Sequence, residues 1–231
     1  MGETLLSVQE LCAWYDRRKP VLTDLSLELS EHEVVGLIGL NGAGKTTFLN
    51  VLSGLHEGFC AKKLVMDAHP AEVRDRAFQR QRYTVFAEDT SFSYFTFREY
   101  ITYVCRAYGI KQPDVSEFVT GFRFEEYTDV LIKDLSLGNR KKVFLITAFA
   151  LKPRLLLLDE PVNGLDFVST EYLYRLMAGY REHGTLLFSS HILESITLTC
   201  DRVLVLEEGR IRQSFAQGKV DAAGIREALL L

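Results

Sequence analysis

This sequence predicts an α/β fold with a mostly parallel core sheet, and three observations carry that prediction. Strand-like and helix-like segments alternate along most of the chain. Several strand-like segments, at 34–38, 155–158 and 186–188, are apolar almost without interruption, as strands covered on both faces are. Between one such run and a helix-patterned stretch, residues 39–46 read Gly-Leu-Asn-Gly-Ala-Gly-Lys-Thr. That spelling fits G-x-x-x-x-G-K-[ST], a loop whose backbone amides cradle phosphate.

The elements follow in order. Residues 4–9 and 21–29 read as strands, with Leu25, Leu27 and Leu29 alternating with polar residues as in a sheet with one wet face. After the loop, Phe48, Leu49, Val51, Leu52 and Leu55 recur at helical spacing. Residues 60–88 mix short strands with a polar helix around 71–81. From 91 to 151 the pattern is mainly helical. Asp114 and Glu117 spell a capping box after Pro113, and Ser136 caps a helix that runs to about Leu151 and stops before Pro153. A four-leucine strand ends in Asp159-Glu160-Pro161. A helix over 169–182 turns Leu173, Leu176, Met177 and Tyr180 inward, with Gly184 just past its end. Residues 203–206 and 211–215 flank Glu208-Gly209-Arg210 as a hairpin.

Length and composition bound the reading. The 231 residues are 47% hydrophobic and 25% charged, enough for a substantial core in one large domain or two small ones. The net charge of −4, with no basic stripe, argues against a nucleic-acid partner. Cys12, Cys60, Cys105 and Cys200 are far apart and have no zinc spacing, so they read as reduced thiols. The N-terminal stretch lacks the charged and apolar regions of a signal peptide. The densest apolar stretch, 143–151, is about half a membrane span, so the chain is expected not to cross a bilayer.

The loop explains its own residue types. Gly39, Gly42 and Gly44 allow turns that a Cβ would block, so successive N–H groups, those of Asn41 and Ala43 included, can converge on one anion. Lys45 brings a positive charge to the β/γ-phosphates, the Thr46 hydroxyl is suited to Mg²⁺, and the helix that starts here adds its positive dipole end. Asp159 and Glu160 are adjacent carboxylates at the carboxyl end of an apolar strand, where open α/β sheets bind ligands. They suit a Mg²⁺ shell and a general base respectively. Read in isolation, they would be two acids before a turn. His191, after a core strand and two serines, is placed to reach a γ-phosphate; His32, His56, His69 and His183 read as ordinary surface or capping residues. Leu135-Ser136-Leu137-Gly138-Asn139 opens a helix, and its free amides make an anion site whose ligand the spacing does not identify.

Taken in one order, Tyr15, Gly39 to Thr47, Leu135 to Asn139, the carboxylate pair, Asn163 to Asp166 and His191 resemble the nucleotide-binding domain of ATP-binding cassette transporters. The resemblance runs from about residue 5 to 212, and Ser136 stands 23 positions before Asp159 (159 − 136 = 23), as in that family. It implies a P-loop NTPase core over about 1–88 and 152–231, an N-terminal antiparallel β region, and an inserted helical subdomain over about 89–151. It also implies roles. Tyr15 or Trp14 would stack on adenine; Lys45, Thr46 and Thr47 would hold phosphates and Mg²⁺; Asp159 would support the metal; Glu160 would be the catalytic base. His191 would touch the γ-phosphate. Asp166 would reach across a dimer, and Ser136 and Gly138 would contact ATP held by the opposite subunit.

Two stretches depart from the family pattern, at three positions. Leu137 and Asn139 stand where its signature Leu-Ser-Gly-Gly-Gln has Gly and Gln. Glu88, a candidate metal contact, stands where Gln is frequent, and acidic versions resemble a branch of exporters. The resulting expectation is an ATP- and Mg²⁺-dependent ATPase subunit, cytoplasmic and held at the inner face of the membrane by a separate permease. It would work with a second cassette as a homodimer or heterodimer, and in export. The alternatives are a soluble cassette outside transport and a cassette that binds ATP without hydrolysing it. The aromatic run Phe92, Tyr94, Phe95, Phe97, Tyr100, Tyr103 and Tyr108 is expected to divide between core and a groove for a permease helix, with some of Phe92, Tyr94, Phe95 and Phe97 lining the groove.

Overall fold

Six strands form one sheet in the order Arg210–Ala216 (β11), Arg202–Glu207 (β10), Val34–Ile38 (β3), Thr185–Ser190 (β9), Leu155–Asp159 (β8) and Arg82–Val85 (β7). All neighbours are parallel except the β10–β11 hairpin. The structure is a computed structural model and describes residues 2–216 and 222–230. A second, antiparallel sheet comprises Thr4–Asp16 (β1), Lys19–Ser30 (β2), Phe59–Cys60 (β4), Lys63–Met66 (β5) and His69–Pro70 (β6).

The uninterrupted apolar strands have a physical reason. Val34, Ile38, Leu156, Leu158, Leu186, Phe188, Val203 and Val205 face one core; Val35, Leu37, Leu155, Leu157, Leu187, Leu204 and Leu206 face the other. Successive side chains point to opposite faces, so a sheet buried on both sides needs apolar residues at every position. The first core is closed by helices Phe97–Tyr108 (α3), Leu137–Leu151 (α5), Phe167–Gly179 (α6) and Leu193–Thr199 (α7), and by Ile225 of Ala222–Leu230 (α8). The second packs Lys45–Leu52 (α1) and the antiparallel sheet, including Leu25, Leu27 and Leu29, against the opposite face. Helix α3, the short helix Ser116–Gly121 (α4) and α5 all fall between β7 and β8 in sequence.

Several element boundaries differ from the sequence pattern. β1 runs on to Asp16, because its pairing with β2 continues past the polar residues Gln9 and Glu10. Leu55 lies beyond the end of α1 and is 64% exposed, so its helical spacing was coincidental. The polar helix near 71–81 is Arg76–Gln81 (α2) alone. Asp114 accepts from the Ser116 amide and hydroxyl in a local turn and forms no capping box with Glu117. The real box is Thr96 with Glu99 at the start of α3, each side chain meeting the other's backbone amide. Helix α6 starts two residues early, because Asp166 caps it by accepting from the Ser169 amide, and it passes into a 3₁₀ turn at Tyr180–Glu182. Gly184 is small for a different reason than a helix stop. A Cβ there would sit 2.7 Å from the Pro153 carbonyl and 2.8 Å from that of Arg154. Ser136 does cap α5, accepting from the Asn139 amide at 3.2 Å. The hairpin turn has Glu208 at φ 46° and Gly209 at φ 75°, the two positive values a tight two-residue connection needs.

Candidate functional site

The strand order gathers the chemistry. β9 lies between β3 and β8, and Ile38 pairs with Ser190 while Asp159 pairs with Ser189. The carboxyl ends of three strands therefore stop at one level. The Gly-rich loop leaves β3, the carboxylate pair leaves β8, and His191 leaves β9. A cleft of about 550 Å³ opens there, and Tyr15, Asn41, Gly42, Gly44, Lys45, Thr46, Thr47, Glu160, Asn163 and His191 line it.

The loop geometry needs glycine. Gly44 has φ 107° and caps α1 without any side-chain bond, so no N-cap side chain occupies the first-turn amides of that helix. A Cβ on Gly44 would lie 2.5 Å from Leu22 Cδ2, and one on Gly39 would lie 2.3 Å from the Leu206 carbonyl. Ala43 is buried behind the loop, and its carbonyl accepts from the Gly209 amide of the β10–β11 turn. Lys45 is nearly buried; its ammonium donates to the carbonyls of Gly39 (2.8 Å) and Leu40 (3.2 Å) and stands 3.9 Å from Glu160 Oε1.

Glu160 is held from several sides. Its backbone is left-handed at φ 46°. The Ser189 hydroxyl accepts from its amide at 2.9 Å, and Lys141 Nζ donates to its carbonyl at 2.8 Å. Its other carboxylate oxygen meets His191 Nδ1 at 2.8 Å. Asp159, 1% exposed, accepts from the same Ser189 hydroxyl at 2.5 Å. Burial pulls the Lys141 ammonium down from its ordinary range, against the opposing influence of Asp159, Glu160 and Glu88.

Ser136, Gly138, Asp166 and Glu88 lie outside this cleft. Ser136 is exposed at the start of α5, and a Cβ on Gly138 would lie 2.2 Å from the Gly164 carbonyl, so helix and loop touch backbone to backbone. Asp166 accepts from the Ser169 amide and hydroxyl and from Lys142 Nζ at 2.8 Å. Burial would raise its carboxyl, but the hydrogen bonds from Lys142 and Ser169 outweigh that and hold it well below the usual carboxylate range. Glu88 is exposed in a neighbouring hollow of about 190 Å³, which shares Lys141 with the surroundings of Glu160. Tyr15 is 70% exposed with its hydroxyl 3.5 Å from Thr47 Oγ1. Trp14 turns away, packed on Gly58.

Ser189, Lys141 and Lys142 are the participants that the sequence reading missed. The two lysines are each 4% exposed in an apolar helix, and a charged pair entering the run 143–150 was the available signal. Nothing in the sequence marks Ser189 apart from its place before His191.

The fold is that of a P-loop NTPase cassette, and the chain belongs to the ABC transporter family, whose model matches residues 22–163. Its relatives include the putative ABC transporter ATP-binding protein AlbC of Bacillus subtilis, 34% identical over 226 residues, which covers 94% of this chain and 93% of that protein. The Nod factor export ATP-binding protein I of Bradyrhizobium diazoefficiens is 33% identical, over 88% of this chain and 67% of that protein. A solved ATP-binding subunit of an ABC transporter superposes with TM-score 0.84 at 28% identity, covering 97% of this chain and 93% of that one. No helix among the described residues is long and apolar enough to cross a membrane.

Proposed function

We propose that this chain hydrolyses ATP with Mg²⁺ as the engine of an export complex, paired with a second cassette and a separate transmembrane permease. The observation that carries the reading is the Glu160 carboxylate, set in the cleft beside the loop ammonium of Lys45 and against His191 Nδ1.

The donor set fits a magnesium nucleotide. The loop offers an uncapped helix start, a nearly buried ammonium and the Thr46 hydroxyl; Asp159 adds a buried carboxylate. Among the described residues no group of three or more His, Cys, Asp or Glu could hold a metal alone. That suits Mg²⁺, which keeps waters and shares its coordination with substrate phosphates. When bound, the ion offsets phosphate charge and polarises the bond that breaks. Lys45 then exchanges its two carbonyl partners for phosphate oxygens. Glu160 accepts the proton of the attacking water. His191, with Nδ1–H donated to Glu160, orients that carboxylate and presents the rest of its ring to the cleft. Tyr15 supplies an aromatic face at the rim for the base.

The exposed start of α5 suits Ser136 and Gly138 for a nucleotide on a second cassette, and Asp166 stands beside it, anchored by Lys142. Tyr94 is 76% exposed with Lys133 over its ring, and Phe92 and Phe95 are half-buried beside it, so these three fit a permease helix. Phe97 does not, being 1% exposed in the core. Export is favoured by Glu88 and by similarity to the Nod factor export ATP-binding protein I of Bradyrhizobium diazoefficiens. Substituting Glu160→Gln should lower ATP turnover by about 100-fold or more while an ATP-bound dimer persists. Unchanged turnover removes Glu160 as the base. Inverted membrane vesicles carrying the complex should accumulate substrate in their lumen if the direction is export.

A further inference from the structure

We propose that Cys12 and Cys60 are a redox-responsive dithiol that closes as a disulfide and staples the strand carrying Tyr15 to the segment behind it. They are 48 positions apart in sequence (60 − 12 = 48), yet they stand directly opposite each other where β1 pairs antiparallel with β4. The register is well fixed. The β1–β5 pairs run from Leu6 with Met66 to Gln9 with Lys63, and the β1–β4 pairs continue the same offset through Cys12 with Cys60 to Ala13 with Phe59. The Trp14 amide then closes on the Gly58 carbonyl at 2.7 Å. Directly opposed residues share a face of the sheet, with Cα atoms about 4.5–5.5 Å apart, inside the range of about 4.4–6.8 Å that a disulfide spans.

Access and chemistry separate this pair from the other two cysteines. Cys60 is exposed and Cys12 half-buried, whereas Cys105 is buried. Burial raises the Cys105 thiol and pushes that of Cys200 up to about 12, so neither forms a thiolate readily. Cys12 Sγ accepts from the Asp24 amide at 3.4 Å. The exposed Cys60 thiolate attacks one sulfur of a small-molecule disulfide of the glutathione class and releases one small thiol. The Cys12 thiolate then attacks Cys60 Sγ in the mixed disulfide and releases the second. The two protein thiols lose two electrons and two protons, and the small disulfide gains them as two thiols.

The place of the bond gives it meaning. Residues 12–60 contain Tyr15, the whole Gly-rich loop and α1. His56 lies edge-on to Tyr15 at 4.8 Å and its Nε2 meets the Trp14 carbonyl at 3.0 Å, so Tyr15 rests on the segment that β4 continues. The bond therefore ties both ends of the half-site that carries the loop.

The test incubates the full chain with oxidised glutathione, maps it by non-reducing peptide mass spectrometry and follows thermal unfolding. The expected product is an intramolecular Cys12–Cys60 peptide pair, about 2 Da lighter than its thiol form and reversed by dithiothreitol. Closing that loop should raise Tm by about 5–15 °C. C60S and C12S should unfold like the reduced chain under both conditions. Stable glutathione adducts without the cross-link, Cys60 joined between two chains, or a cross-link that leaves Tm unmoved would each overturn the proposal.

Discussion

Ser189→Ala removes one hydroxyl and should be felt by both carboxylate residues of the site. The hydroxyl is fully buried, donates to Asp159 at 2.5 Å and accepts from the Glu160 amide at 2.9 Å. For Asp159 it is the one side-chain hydrogen bond among the described residues. A hydrogen bond to a charged group contributes about 1.5–3 kcal/mol, and a buried amide left without a partner costs about 1–3 kcal/mol, so the substitution should destabilise by about 3–5 kcal/mol. For a chain of this size that corresponds to a fall in Tm of about 6–20 °C, measured by circular dichroism. Turnover supplies a second readout. Glu160 holds a left-handed backbone pinned through its peptide groups by the Ser189 hydroxyl, Lys141 Nζ and the Asn163 amide. Among the described residues the Ser189 hydroxyl is the one partner of its N–H, so losing that pin lets its carboxylate leave the position facing Lys45. ATP hydrolysis, assayed well below the new Tm, should fall by more than the loss of folded protein explains. A Tm within about 2 °C of the parent would mean that the hydroxyl is not the bridge described, and the reasoning fails.

Three further outcomes are expected. Asp166→Ala should destabilise the fold at neutral pH: the wild-type carboxyl is held below its unfolded range, so its contribution is complete above about pH 4 and fades as the pH falls further. Urea unfolding at pH 7 and pH 3 should show the gap between variant and parent narrowing at the lower value; a gap that widens contradicts the pairing with Lys142. Gly44→Ala forces a Cβ to 2.5 Å from Leu22 Cδ2 at φ 107°, and should cost about 1–3 kcal/mol in strain and weaken binding of a fluorescent ATP analogue; binding equal to the parent removes the loop geometry from the argument. Thr96→Ala breaks the capping box of α3 and should cost about 1 kcal/mol, or about 2–4 °C in Tm, with no effect on nucleotide affinity.

Local signals were legible where a residue's role depends on its immediate neighbours. The strand, Gly-rich loop and helix at 34–52 declared themselves because the turn conformations demand glycine and the strand demands apolar residues on both faces. Ser136 was readable as a cap for the same reason, since its oxygen answers an amide three residues on. Thr96 with Glu99 and Asp114 with Glu117 carry equally clear spellings, but only the first forms a box, because a competing turn through Ser116 uses the Asp114 carboxylate. Leu55 illustrates the limit of periodicity: spacing continues past the point where the chain leaves the helix.

The amino-acid order alone determined the α/β class, the phosphate loop and the acidic end of β8, because each is a contiguous pattern with one physical solution. The tertiary structure alone decided which residues meet. Placing β9 between β3 and β8 sets Ser189 under Asp159 and Glu160 and turns His191 onto the carboxylate of Glu160. The same kind of long-range pairing sets Cys12 opposite Cys60. Strand order and register arise from burying two apolar faces at once, a property of the whole chain that no short window of it contains.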